Sequence, residues 1–130
     1  MCDVMSDNTY GNPPGLWEQA KKEAIRAIVT EGRNGLLITY SELTRHVRSI
    51  HFEAHDFSFH HLLGMISIEE DAAGRGMLSA LVVHKDDGLP GSGFFYLAKR
   101  MGRDVGDRDR CWSGEVSFVL SHCKDHPMAA

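Results

Sequence analysis

Cysteine is scarce in this sequence, and so is any surplus of positive charge. The three cysteines, Cys2, Cys111 and Cys123, are odd in number and far apart. They read as reduced thiols rather than a disulfide framework. Fourteen Lys and Arg stand against eighteen Asp and Glu, a formal net charge of −4. The chain therefore lacks the general basic surface of a strong nonspecific nucleic-acid binder, and any such contact must be local. No apolar run approaches the roughly 20 residues that span a bilayer. The N-terminus lacks the basic and apolar regions of a signal peptide. These absences imply a cytoplasmic protein with no membrane partner. No internal repeat or linker divides the 130 residues, which suit one domain with a real core. Residues 1–15, with Asp, Asn, Ser, Gly and two prolines, are expected to form a flexible tail. Residues 16–124 are then the domain, and 125–130 a second tail.

The residues that are present are organised around the stretch 77–101. Residues 78–83, LSALVV, are a near-continuous apolar run and predict a strand. The run stops at His84-Lys85-Asp86-Asp87-Gly88, and Pro90-Gly91 adds a second turn. Ser92 is placed to cap the next helix. Phe94, Leu97, Ala98 and Met101 share helical spacing, which predicts that helix over 93–101, closed by Gly102. The glycines of residues 88–93 could cradle an anion, but they match no phosphate-binding fingerprint and read first as a plain turn.

Upstream, residues 16–30 predict a helix with Trp17, Ala20, Ala24 and Ile28 as its apolar stripe. Residues 36–38 predict a short strand that pairs with 78–83. Thr39 and Glu42 form a capping box that opens a short helix. Arg45, His46 and Arg48 lie near its end, where cations suit the dipole. A polar, histidine-bearing connection leads to a helix over 56–69, capped by Asp56 or Ser58, with Phe59, Leu62, Leu63 and Ile66 on one face. Gly64 inside it implies a close helix contact, since glycine there costs up to about 1 kcal/mol against alanine. Residues 103–110 read as a surface loop. Trp112, Val116, Val119, Leu120 and Cys123 make a last helical stripe.

The order of elements predicts an α+β fold, mostly helical with a small sheet, of the winged helix-turn-helix kind. On that plan residues 56–69 are the recognition helix, with Ser58, His60 and His61 facing out. Thr39, Tyr40, Arg45 and Arg48 steady the nucleic-acid backbone, and Lys85 tips the wing. Residues 36–101, about half the chain, resemble the DNA-binding domain of alkylguanine-DNA alkyltransferases and alkyltransferase-like proteins. Ile38-Thr39-Tyr40-Ser41-Glu42-Leu43 is similar to that family's helix entry. His61-Leu62-Leu63-Gly64 falls where the family has its arginine finger, two apolar residues and glycine. Residues 78–83 fall at its proline-cysteine-histidine-arginine-valine-valine motif, and 85–93 at its wing. Ser79 stands at the alkyl-accepting cysteine, and Ala80 and Leu81 at the histidine and arginine beside it. The resemblance therefore implies the fold and duplex DNA as partner, without alkyl transfer, because a serine with no adjacent base is a poor nucleophile. The stretch is also similar to small bacterial proteins that share the LSALVV and PG-small-GFF pattern.

Other constellations are weaker. His51, His55, His60 and His61, with Glu53 and Asp56 among them, offer metal-ligand chemistry but not the order of a metalloprotease motif. Cys111, His122, Cys123 and His126 lack the paired spacing of a zinc site. No Ser or Cys has a base beside it, so no catalytic residue, metal or cofactor is assigned. The sequence thus predicts a non-enzymatic winged-helix domain that binds duplex DNA. A protein-interaction module that lost DNA contact is the first alternative. A histidine-dependent metal-binding protein or enzyme is the second. Eight histidines also predict that charge-dependent binding varies between pH 6 and 7.5.

Overall fold

The computed structural model describes residues 9–127. The protein is α+β and mostly helical. In chain order its elements are α1 (Pro14–Arg33), β1 (Ile38–Thr39), α2 (Tyr40–His46), α3 (Phe57–Ala72), a 3-10 turn (Leu78–Leu81), β2 (Val82–Val83), α4 (Ser92–Arg100) and α5 (Arg108–Cys123). The sheet has two strands, and they run parallel, with Ile38 opposite Val82 and Thr39 opposite Val83. No helix among the described residues is long and apolar enough to cross a membrane.

Local chemistry accounts for most element boundaries. Pro14 opens α1, where its fixed φ suits the first turn and its missing N–H costs nothing. The capping box at α2 forms as expected. The Glu42 N–H donates to Thr39 Oγ1 at 3.1 Å, and the Thr39 N–H donates to the Glu42 carboxylate at 3.2 Å. Asp56 stands at the N-cap of α3 but makes no cap bond, because its carboxylate accepts from the Glu53 N–H at 2.8 Å instead. Gly91, not Ser92, is the N-cap of α4. Within the expected loop at 103–110, α5 begins at Arg108 behind an Asp107 cap, whose carboxylate accepts from the Arg110 N–H.

The largest difference from the sequence reading lies at residues 78–83. Only Val82 and Val83 are strand, and Leu78–Leu81 are a 3-10 turn. Side chains meet the backbone groups that a longer strand would have shared with a neighbour. Ser67 Oγ accepts from the Ser79 N–H at 3.0 Å, and Trp112 Nε1 donates to the Ala80 carbonyl at 2.9 Å. The Ala80 N–H returns to the Met77 carbonyl at 3.0 Å and closes the turn. The strand partner is Ile38–Thr39 rather than 36–38, and Leu36 is exposed. The expected wing, 85–93, is a turn held by a His84 N–H bond to the Leu89 carbonyl.

Two apolar clusters form the interior. The larger joins α1, α2, α3 and the strands through residues such as Trp17, Ile28, Leu43, Phe59 and Leu62. Each such side chain, fully buried, contributes about 1.5–3 kcal/mol relative to exposure. The smaller gathers Met77 and Ala80 with Phe94, Phe95, Leu97 and Ala98 of α4. Ion pairs tie down the C-terminal end of α3. Lys21 of α1, itself buried, reaches Glu69 at 2.7 Å. Buried Glu70 accepts from Arg75 at 2.9 and 3.0 Å and pairs with His126 at 2.6 Å. Residues 125–127 are therefore docked at His126, where a tail was expected. At the other end, Thr9–Asn12 hydrogen bonds close a turn that sets Tyr10 against Trp17. Pro14 and Gly15, expected in the tail, belong to α1, and residues 1–8 and 128–130 lie outside the described residues.

Gly64 faces the neighbouring helix α4, but the contact is not close. A Cβ there would meet only Leu97 Cδ2, at 3.7 Å, an ordinary contact. Gly76 is the opposite case. Its φ is +86°, and a Cβ would lie 2.8 Å from Phe118 Cδ2 and 3.0 Å from Glu115 Oε2. Gly64→Ala should stabilise the protein by about 0.5–1 kcal/mol. Gly76→Ala should destabilise it by about 2–4 kcal/mol, through strain and overpacking together. Urea unfolding of the two variants beside the parent checks both signs.

The carboxylates predict acid sensitivity. Burial alone would raise the Glu70 pKa, but the hydrogen bonds from Arg75 and His126 outweigh it and hold the pKa below the usual range. The Arg103 guanidinium lowers that of Asp71. A carboxyl depressed in the folded state binds its proton more readily once unfolded. The stability it contributes is thus whole above the ordinary carboxylate range and is lost as pH falls through the folded value. Thermal midpoints should be flat from about pH 7 to pH 5 at these groups and fall steeply below about pH 4. Glu70→Gln should flatten part of that fall.

Candidate functional site

Between the two apolar clusters lies a cavity of about 930 Å³. Its walls are built from four places in the chain. Tyr10 comes from the N-terminal turn and Tyr40 from the start of α2. Phe57, His60, His61, Leu63 and Gly64 come from the first two turns of α3, and Ser92 to Leu97 from α4. Ser79 of the 3-10 turn also lines it, with Lys99 and Arg108. An aromatic cavity with a few polar groups suits a flat, partly polar ligand. Phe57 is 73 % and Tyr96 55 % exposed, so both rings are accessible in this wall. Arg108 sits over the Phe95 ring at 4.6 Å and Arg100 over the Tyr96 ring at 5.7 Å, which places cations beside the same aromatics.

Tyr40 is the hinge of the polar wall. Its ring meets those of His60 and His84 at centroid distances of 4.9 and 4.8 Å, and its hydroxyl accepts from the Gly91 N–H at 3.3 Å. Burial pushes its pKa up. His60 Nε2 lies 2.9 Å from the Ala54 carbonyl. A carbonyl can only accept, so Nε2 carries the proton. Burial holds the His60 pKa below its ordinary value, with the neighbouring His84 adding to the effect. The ring is therefore neutral near pH 7, and its Nδ1 is an acceptor.

Ser79 and Ser67 form a pair. Their Oγ atoms are 2.7 Å apart, and Ser67 is fully buried. Ser79 Oγ makes no hydrogen bond to a histidine or carboxylate among the described residues. It is therefore not an activated nucleophile.

A second, shallower hollow of about 510 Å³ adjoins the first. It is lined by Ser41, Thr44, Arg45 and Arg48 on one side and His51, Phe52 and Ala54 on the other. Arg45 and Arg48 are exposed. The Arg48 and Ser49 N–H groups donate to Glu23 at 3.0 and 2.9 Å, which fixes this loop to α1. Ala54 of this hollow is hydrogen-bonded to His60 of the first.

The residues expected to bind nucleic acid are thus sorted by the fold. Tyr40, His60 and His61 meet at the aromatic cavity, and Arg45 and Arg48 at the adjoining hollow. Thr39, Ser58 and Lys85 line neither, and the Thr39 hydroxyl is committed to its cap. His61 does not face out. It is buried, with its ring against Tyr10 at 5.3 Å and Trp17 at 6.4 Å, because the N-terminal turn covers that side of α3. Between Phe57 and Glu69 no residue of α3 is fully exposed, so this helix has little free face for a major groove. Tyr40 is likewise buried rather than on the surface. The histidine cluster disperses. His51 pairs with Glu53 at 2.7 Å, and no group of three or more His, Cys, Asp or Glu among the described residues could hold a metal ion. Sequence reasoning misses the aromatic wall. Phe94-Phe95-Tyr96 is a visible signal, but helical spacing assigns only Phe94 a role.

His60 makes a pH prediction for stability. A histidine whose folded pKa is depressed adds stability above its unfolded value and loses it as pH falls through that value. Protonation of His60 thus opposes the folded cavity as pH falls below the ordinary histidine range. His60→Gln should reduce the loss of thermal stability between about pH 7 and pH 5.5. NMR titration of the His60 ring should show a midpoint below the ordinary histidine value of about 6.5. No family model, no curated protein and no solved structure matches the chain.

Proposed function

We propose that the protein is a non-enzymatic duplex-DNA-binding domain that engages DNA at an unpaired base, taking that base into the aromatic cavity. The observation that carries this reading is the cavity itself, with aromatic walls, a hydroxyl on one side and cations beside it. Bases stack on aromatic faces whatever their sequence, and a base leaves the stack most easily where it is already unpaired. Arg45 and Arg48 in the adjoining hollow hold no ion pair among the described residues and are available to phosphates. The resemblance to the alkyltransferase DNA-binding domain agrees with this reading, and Ser79 in place of the cysteine agrees with binding without transfer. Winged-helix architecture remains part of the proposal, with the cavity rather than the outer face of α3 as the reader.

Fluorescence anisotropy with two labelled duplexes, one fully paired and one with a single unpaired base, tests it. The unpaired duplex should bind about tenfold or more tightly, with a shallow salt slope of about −2 to −4 in log K against log salt. Phe57→Ala and Tyr96→Ala should each weaken the unpaired duplex about ten- to hundredfold and scarcely change the paired one. Arg45→Ala with Arg48→Ala should weaken both alike, because phosphate contacts position without specifying. Equal binding of the two duplexes, or none at about 50 mM salt, would reject the reading. The exposed Phe57 and Tyr96 faces would then point to the protein-interaction alternative.

A further inference from the structure

Two cations gather on one ring of the cavity. Lys99 lies four residues after Phe95 on α4, so the two share a face of that helix. Arg108, the first residue of α5, sits over the same Phe95 ring at 4.6 Å. Both residues are exposed, and both line the cavity. Neither holds an ion pair among the described residues. The carboxylates of the loop before α5 are engaged by backbone. Asp104 accepts from the Gly106 N–H at 2.9 Å and Asp107 from the Arg110 N–H at 3.1 Å. The chain carries eighteen Asp and Glu, yet none of them lines the cavity, so the two permanent charges in its lining are both positive. The space is also larger than a planar base fills. At about 930 Å³ it lies at the upper end of the range for a drug-sized ligand.

From this we infer that the cavity takes a whole nucleotide rather than a base alone. The ring stacks on the aromatic wall, and the phosphate of that same nucleotide is held by Lys99 and Arg108. The ligand class is therefore a nucleoside monophosphate, whether part of a strand or free, and a free one competes with the inserted one. This phosphate position is separate from Arg45 and Arg48, which line the other hollow and meet the phosphates of the paired flank. The inference rests on the reading of this cavity as a base site.

Isothermal titration of the full chain with deoxyadenosine, and with the monophosphate of each of its two sugar hydroxyls, tests this. At least one monophosphate should bind about tenfold or more tightly than the nucleoside, and the difference should shrink as salt rises. The same monophosphate should displace the duplex with the unpaired base. Lys99→Gln with Arg108→Gln should bring the monophosphate to within about twofold of the nucleoside. Lys99→Arg with Arg108→Lys keeps both charges and should keep most of the preference, which separates loss of charge from loss of the Arg108 contact with Phe95. Circular dichroism melts show that the variants are folded. Suppose the unpaired duplex still outbinds the paired one, but the monophosphates bind no better than the nucleoside, leave that duplex in place, or keep their preference in the double Gln variant. The phosphate inference is then wrong and the base-binding reading stands. If a monophosphate binds through Lys99 and Arg108 but the two duplexes bind equally, the nucleotide site stands and the DNA reading fails. If the monophosphates do not bind and the duplexes bind equally, both fail.

Discussion

The carboxylate of Glu115 holds the cavity in place. It lies on α5 and is 9 % exposed. It accepts from the Met77 N–H at 2.8 Å and from Arg103 at 3.1 and 3.3 Å. Arg103 in turn reaches both oxygens of Asp71 at the end of α3, at 2.6 and 3.0 Å. One guanidinium thus joins α3 and α5 across the loop that follows α4, and its pKa is raised by the Asp71 and Glu115 bonds. A buried carboxylate is costly unless it is paired and fully hydrogen-bonded, and here the pairing is complete. Its geometric consequence is larger than its energy. Fixing Met77 fixes the start of the 3-10 turn, and Trp112, one helical turn before Glu115, fixes Ala80. Ser79 lies between those two anchors and can only meet Ser67.

From that turn the rest of the site follows in sequence. Val82 and Val83 leave it in a direction that pairs them with Ile38 and Thr39 in parallel. Parallel strands need a long crossover, and α2 and α3 form it here. The pairing ends where Thr39 caps α2, so Tyr40 emerges beside β2 and within reach of His84, the residue after Val83. The turn at His84–Leu89 then brings Gly91 under the Tyr40 hydroxyl. A Cβ on Gly91 would lie 3.2 Å from His84 Nε2 and 3.4 Å from the Tyr40 hydroxyl, so the chain passes there most easily without a side chain. The cavity is therefore a product of the backbone path rather than of loops that could be re-drawn independently.

This explains which parts were legible in the sequence. Elements fixed by neighbours in the chain could be read directly. The Thr39 capping box, the Trp17–Ile28 stripe and the Phe94–Met101 spacing depend on residues three or four positions apart. Features fixed by distant side chains could not. Nothing in LSALVV reveals that Ser67 and Trp112 meet its backbone groups, so a strand is the natural expectation for the whole run. His61 looks like a surface polar residue until the turn at residues 9–12 is seen to cover it. Arg103 looks like part of a charged loop until Asp71 and Glu115 are placed on either side. Gly64 is the reverse case. A glycine inside a helix implies tight packing, but this one faces the cavity, and its absence of a side chain widens that space.

Net charge is equally misleading as a single number. Two groups of basic residues differ in their surroundings. Lys21, Arg75 and Arg103 are spent on carboxylates within the fold. Arg45 and Arg48 at one hollow, and Lys99 and Arg108 at the next, carry no ion pair among the described residues. A field of several kT over a cleft depends on which charges remain uncompensated there, not on the chain total. The Ala54–His60 bond links the two hollows. His60 is neutral near pH 7 and adds no charge there, while Glu53 stands with Arg45 and Arg48 around the second hollow. An anionic strand across both would meet guanidinium groups at one and an aromatic cavity at the other. The net charge of −4 opposes a wider contact, which limits it to a short stretch of backbone.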